Sequence, residues 1–401
     1  MNPPKVLKDP YFWLRDDKRE DEEVISHLLA ENAYCDQEMG KLAALQEELY
    51  DEILSHLQET DEDVPYRRGG FMYYSRTEKG LAYRIRCRKL HTGEEQIILN
   101  ENDVAEGHDY SVVSTVEPSP DHKLIAYAVD HNGYETYDLK VKDLESGIHL
   151  VDETVEIEGH VKWGADSSAY FYLKMDAEHR PYEVWMHQLG TSKEEDVLVH
   201  AESDGKFWMG LGKTASDRFL IINSGSKETD ECHIIDLQGV QGGAAHVEAV
   251  RNKKCIRPRE FGVRYEIEHH RDKLYIVTNK DGAKNFKLVS VDVKTALSSP
   301  SSKWTEVKKY DPQVQIDALL PFKDHLVLFG REEGFEQVWI ADAKGDTIST
   351  WKRCTWPESV YSVWEGENYE YDSTKLRLVY SSLLTPKQVL EMDLCTGRFF
   401  I

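Results

Sequence analysis

Residues 119–144 read SPDHKLIAYAVDHNGYETYDLKVKDL. A turn signal, Ser-Pro-Asp, leads into the apolar run LIAYAV; a polar loop follows, and then the alternating run YDLKVKDL. Apolar residues at every second position, bounded by Pro, Asp, Asn and Gly, mark antiparallel strands joined by tight turns. The same phrase recurs along the chain. Its strand–turn–strand openings are PYRRGGFMYYS (65–75), STVEPSPDHKLIAYAV (114–129), VKWGADSSAYFYLKM (161–175), GLGKTASDRFLIINS (210–224), YEIEHHRDKLYIVTN (265–279), LLPFKDHLVLFG (319–330) and YEYDSTKLRLVYS (369–381). In all but the first, the turn holds an Asp shortly before the second strand, where its carboxylate can bond nearby backbone. The first uses Gly69-Gly70 instead.

Each opening is followed by a third strand-like run: YRIRCRKL, YDLKVKDL, YEVWMHQL, CHIIDL, FKLVSVDV, QVWIADA and QVLEMDL. Their last residues are Leu90, Leu144, Leu189, Leu237, Val293, Ala343 and Leu394, a spacing of 45 to 56 residues. A fourth run usually comes next, such as EQIILN, DVLVHA, HVEAVR or TEVKKY. Four strands per unit at this period point to a β-propeller, because one small sheet cannot cover both its faces and must pack between neighbours. The expected fold is therefore all-β: a seven-bladed β-propeller over 64–401 with four-stranded antiparallel blades at about 64–100, 110–152, 157–200, 206–250, 260–310, 314–352 and 359–401. No strand is left at either end to be shared, so closure is expected to rest on packing between the first and last blades.

Residues 1–63 have a different texture and are expected to form a short N-terminal helical extension. DPYFWLRDD (9–17) places four large apolar residues among charges. Asp21 is a plausible N-cap for a helix with an apolar stripe of Val24, Ile25, Leu28 and Leu29. A second helix carries Leu42, Leu45, Leu49, Ile53 and Leu57 at spacings of three and four. A continuous apolar stripe must be buried on something.

The 401 residues are 40% hydrophobic and 30% charged, which suits a globular protein. Net charge is −24, which disfavours nucleic acid and anionic membrane as partners and favours cationic ligands. Residues 1–65 hold 18 acids against 6 bases, so half of that charge sits in the first sixth. No apolar run is long enough to span a membrane, and no secretory h-region is visible. The six cysteines (Cys35, Cys87, Cys232, Cys255, Cys354 and Cys395) form no C-x-x-C pair, and no N-x-S/T sequon occurs. A reducing, cytoplasmic compartment is the expectation.

Candidate chemistry is sparse. No G-x-S-x-G elbow exists; Ser224 and Ser226 in NSGSKE come nearest and read as loop serines. GLGKT (210–214) resembles the end of a P-loop, but the required leading Gly falls on Phe207. His269-His270 is a poor metal pair, since adjacent strand residues face opposite ways. Asp16, Asp17, Asp61, Glu62 and Asp63 lack the calcium-loop pattern and read as a solvated face. Trp163, Trp185, Trp208 and Trp339 fit packing between blades. The residues thus assign no catalytic, cofactor-binding or metal-ligating position and imply no cofactor.

The chain resembles the N-terminal half of the oligopeptidase B branch of the prolyl oligopeptidase family of serine peptidases. The resemblance rests on DPYFWLRDD (9–17), AENAY (30–34), AEGHDY (105–110), SPDHKLIAYAVD (119–130), RPYEVWMHQLGT (180–191), TNKDGAKNFKL (278–288), FKDHLVLF (322–329) and SSLLTPKQV (381–389). It implies a seven-bladed propeller stacked on a C-terminal α/β-hydrolase domain, cleavage of short basic peptides after Arg or Lys, and a propeller that gates and size-filters entry. It also implies that the N-terminal helices pack on the hydrolase domain. The family's catalytic Ser, Asp and His follow the propeller, so none carries over to a residue here, and this chain alone is expected to be inactive. The alternative is a stand-alone propeller acting as a protein- or peptide-binding scaffold.

Overall fold

The computed structural model describes residues 6–90, 92–151, 154–300, 302–345 and 347–400. The chain divides into two compact units. One runs to Asp61 and also takes Glu78–Gly80; the other comprises Glu62–Thr77 and the chain from Leu81 onward.

The first unit is helical. Helix α1 (Glu22–Gly40) starts at the expected cap: the Asp21 carboxylate accepts from the backbone N–H groups of Glu23 at 2.9 Å and Val24 at 3.4 Å. Helix α2 (Ala43–Ser55) is shorter than its leucine stripe, leaving Leu42 at the cap position and Leu57 beyond the end. Val24 is buried, whereas Leu28, Leu29, Leu45, Leu49, Ile53 and Leu57 are exposed.

The second unit is all-β. Its strands form six sheets in chain order, each built from one contiguous stretch. Five are blade-sized, with four or five antiparallel strands; the sixth is one continuous sheet of seven strands running from Val112–Pro118 to Val197–Ala201. The expectation of seven four-stranded blades is thus corrected. Strand Thr154–Trp163 overturns it: ten residues long, it pairs at one end with Tyr137–Asp143 and along its length with Ala169–Met175. Ile157 faces both Tyr137 and Lys174, so one strand carries two ladders where the repeat predicts a break. Left-handed residues at Glu156 (φ 59°) and Gly159 (φ 108°) bend this strand between its two partners.

The core lies between sheets, and period-2 alternation supplies it. In strand Lys273–Thr278, Leu274 and Ile276 join Phe219, Ile234 and Tyr265 on one side. Tyr275 and Val277 join Ile316, Leu326 and Leu328 on the other. Each buried Leu or Ile contributes about 2 kcal/mol by transfer from water. The turn Asp bonds nearby backbone in two openings, Asp121 accepting from the Lys123 N–H at 3.1 Å and Asp166 from the Ser168 N–H at 3.0 Å. The left-handed position, two residues before the second strand, is held by Gly69, His122, Asp217 and Arg271, all at φ near +60°.

Two further expectations change. HVEAVR is not a strand: it lies in helix Gly243–Arg251, which buries His246 and Val250, and the edge strand is Lys254–Arg257. Alternation over six residues does not separate the two periods, and the Ala-rich GGAAHVEAVR favours helix. Trp208 is 55% exposed rather than packed between sheets, whereas Trp163 and Trp339 are buried as expected.

Candidate functional site: a charged cavity shared by all sheets

A cavity of about 600 Å³ receives residues from every one of the six sheets. They come from strands that open the sequence repeats, near their C-terminal ends: Arg68, Glu117, Lys162, Lys213, Glu268, Leu320 and Glu365. Alternation explains the placement. In Tyr265–His270, Tyr265 and Ile267 are buried in the core while Glu266 and Glu268 point the other way.

The wall is cross-linked between neighbours. Arg68 Nη2 donates to Glu117 Oε1 at 2.5 Å, and Lys162 lies 3.9 Å from the same carboxylate. The Trp163 indole donates to the Glu117 carbonyl at 2.9 Å. Lys213 Nζ donates to the Gly164 carbonyl at 2.8 Å, and the Ala215 N–H donates to Glu268 Oε2 at 3.0 Å. First and last sheets meet without exchanging a strand. Gly69 N–H donates to Glu370 Oε1 (2.5 Å), Arg377 Nη2 donates to the Pro65 carbonyl (2.8 Å), and the Arg68 guanidinium lies 4.6 Å from the Tyr369 ring centre. Closure by packing is therefore as the sequence predicts.

The charges segregate. Arg68, Lys162 and Lys213 form a basic arc around Glu117, while Glu268, Glu365 and Glu370 form an acidic one. Burial pushes Glu268 up to about 8, with the Glu365 and Glu266 charges adding to it. Burial likewise pushes Glu365 up to about 7, although its side chain stays accessible to water in the cavity. Lys213 is pulled below the usual lysine range by burial. Proton uptake by Glu268 and Glu365 therefore falls in the neutral pH range.

One nucleophile–base contact lines the wall. Ser216 Oγ and His269 Nδ1 are 2.7 Å apart. The other ring nitrogen, Nε2, is buried without a hydrogen-bond partner, and burial, then Arg218, pulls His269 down to about 4. Nε2 therefore has no hydrogen-bonded orienting group of the kind that holds the imidazolium of a general base. The pair staples a turn.

Other residues singled out from the sequence are dispersed. His270 bonds the Lys323 carbonyl at 3.1 Å, apart from His269's partner. Ser224 is a fully buried strand residue rather than a loop serine, bonded to Glu202 and approached by Arg259 at 3.1 Å. Asp63 is held by Arg84 at 2.8 Å, so it is more than a solvated acid. GLGKT is strand as far as Lys213, a cavity cation that sequence reasoning met only as a failed P-loop.

Fold and cavity together define a β-propeller domain whose inner strands converge on one charged cavity. The family model for the prolyl oligopeptidase N-terminal β-propeller domain matches residues 1–399, and the chain belongs to the prolyl oligopeptidase family through that domain. It is 33% identical to Protease 2 of Moraxella lacunata, aligning 98% of this chain with 55% of that protein. Oligopeptidase B of Trypanosoma brucei, solved in a closed form with covalently bound antipain, superposes with a TM-score of 0.89 at 36% identity, covering all of this chain and 56% of that one. Oligopeptidase B of Leishmania major gives a TM-score of 0.91 at 32% identity with the same coverage. The chain thus spans about half the length of the relatives it matches.

Proposed function

We propose that this chain is the propeller portion of an oligopeptidase-B-like serine endopeptidase that cleaves short peptides after Arg or Lys, with the propeller gating and size-filtering entry. The observation that carries the reading is the cavity to which every sheet contributes. Its acidic arc of Glu268, Glu365 and Glu370 suits a cationic side chain, in line with the net charge of −24. In this reading the catalytic groups sit on an α/β-hydrolase domain outside these residues. The N-terminal extension packs on that domain, a role supported by its exposed Tyr11, Phe12, Leu28, Leu45 and Ile53. A cytoplasmic location belongs to the same reading and is supported by six free thiols. Among the described residues no helix is long and apolar enough to cross a membrane.

The test joins this chain to the hydrolase half of the Moraxella relative and assays a chromogenic Arg-ended peptide beside a folded protein. The expected result is cleavage of the short substrate by the hybrid, background from the 401-residue chain alone, and sparing of the folded protein. Hydrolysis by the chain alone, or equal digestion of the folded protein, overturns the reading.

A further inference from the structure

We infer that His200, Glu231 and His233 form a zinc-binding site at the junction of the seven-stranded sheet with the sheet that follows it. His200 lies on the last strand of the first, Val197–Ala201, and the other two on the central strand Asp230–Asp236 of the second. Glu231 and His233 are two residues apart on one strand and so share a face. One donor atom from each of the three lies within 4.8 Å of the others. The imidazole centres of His200 and His233 are 4.3 Å apart.

One donor atom faces this cluster with its lone pair unused. His233 Nδ1 is buried without a hydrogen-bond partner, and Glu231 Oε1 stands 3.9 Å from it, too far for a bond. Glu231 Oε2 accepts from the Arg259 backbone N–H at 3.1 Å, while Oε1 stands 3.9 Å from both His233 Nδ1 and the Arg259 guanidinium. Zinc bonds nitrogen and carboxylate oxygen at ~2.1 Å, so two tetrahedral ligands stand ~3.4 Å apart. The three donors therefore need to close by about an ångström, which side-chain rotation supplies. Two imidazoles and one carboxylate are a donor set for zinc rather than for magnesium or calcium. Cys255, directly across the ladder from His233, stands where a fourth donor could enter.

Lys253 is the competitor. Its ammonium donates to His200 Nδ1 at 2.9 Å and to the Val199 carbonyl at 2.5 Å. Zinc must take the imidazole lone pair from it, while the carbonyl bond can persist.

The inference is independent of any peptidase role. The full chain, stripped with a chelator and desalted, is titrated with zinc chloride by calorimetry and with cobalt(II) by absorption, in the presence of excess magnesium. One tight equivalent is expected. His233→Ala and Glu231→Gln should each weaken it by more than the roughly 10–100-fold that loss of a mere supporting partner costs, with the apo melting temperature of Glu231→Gln reporting that the fold survives. Lys253→Met should tighten binding. Zinc affinity unchanged in both ligand variants, no tight equivalent at all, or weaker binding in Lys253→Met overturns the site. A thiolate-to-cobalt band lost in Cys255→Ser would support the site and add Cys255 as its fourth ligand.

Discussion

Replacing Glu268 with Gln should stabilise the protein, and only at high pH. In the folded chain this carboxyl titrates near 8, because burial in the cavity wall opposes its charge. In the unfolded chain it titrates near ~4.3. Between those limits the folded state holds a proton that the unfolded state lacks, so stability falls as pH rises through the window. At ~1.4 kcal/mol per pH unit the full span converts to roughly 5 kcal/mol. Solvent in the open cavity screens part of it, and about 2 kcal/mol is the working figure. For a chain of this length the unfolding entropy is ~0.8 kcal/mol/K, so the melting temperature should move by about 2–3 °C. Gln can keep its oxygen where Glu268 Oε2 accepts from both the Ala215 N–H at 3.0 Å and the His269 N–H at 3.3 Å. Those two bonds do not vary with pH. The reading is therefore the change in the gap between Glu268→Gln and the parent, measured by scanning calorimetry from about pH 5 to about pH 8.5. A gap that opens by a few degrees in favour of Gln supports the assignment. A gap constant across the range would refute a protonated Glu268 at neutral pH.

Three other outcomes follow from the packing. Gly69→Ala should cost about 2–3 kcal/mol, because φ is +59° and the new Cβ would lie 2.2 Å from His122 Nε2; thermal melts of G69A and of G69A/H122A should show the second variant recovering the clash but not the backbone strain. Ile276→Ala, at a fully buried position between two sheets, should lower stability by about 3 kcal/mol in urea unfolding; a loss under about 1 kcal/mol would mean that the junction collapses onto the void. Deleting residues 1–62 should raise the soluble yield of the remaining chain, since the extension exposes Tyr11, Phe12 and the leucines of both helices. A lower yield would make those helices part of the propeller's own support.

Strands were the legible part of this sequence, because a strand such as Lys273–Thr278 buries its two faces in different cores and alternation is enforced residue by residue. The Asp21 cap was legible for a local reason too: one side chain satisfies adjacent backbone donors. What the sequence hid is of longer range. Thr154–Trp163 looks like an ordinary first strand, and only the register shows Ile157 serving two partners. The cavity's charges are spread from Arg68 to Glu365, each an unremarkable polar residue near a strand end until the sheets bring them together. His200 and His233 were passed over while the adjacent His269-His270 drew notice, although nearness in a strand separates side chains that nearness across sheets unites. HVEAVR is too short for alternation to separate strand from helix, and its Ala-rich surroundings favour helix.

The meeting of the first and last sheets has a mechanical consequence. Every other junction is crossed by the chain itself, but this one is bridged by contacts such as Gly69 to Glu370, Arg377 to Pro65 and Val64, and the Tyr66–Tyr369 and Arg68–Tyr369 ring contacts. Among the described residues no ladder spans it, so parting the seam breaks a few such contacts and leaves all six sheets whole. Under outward load the ring should open there first, behaving as a split collar whose bore is set by how tightly one clasp is fastened.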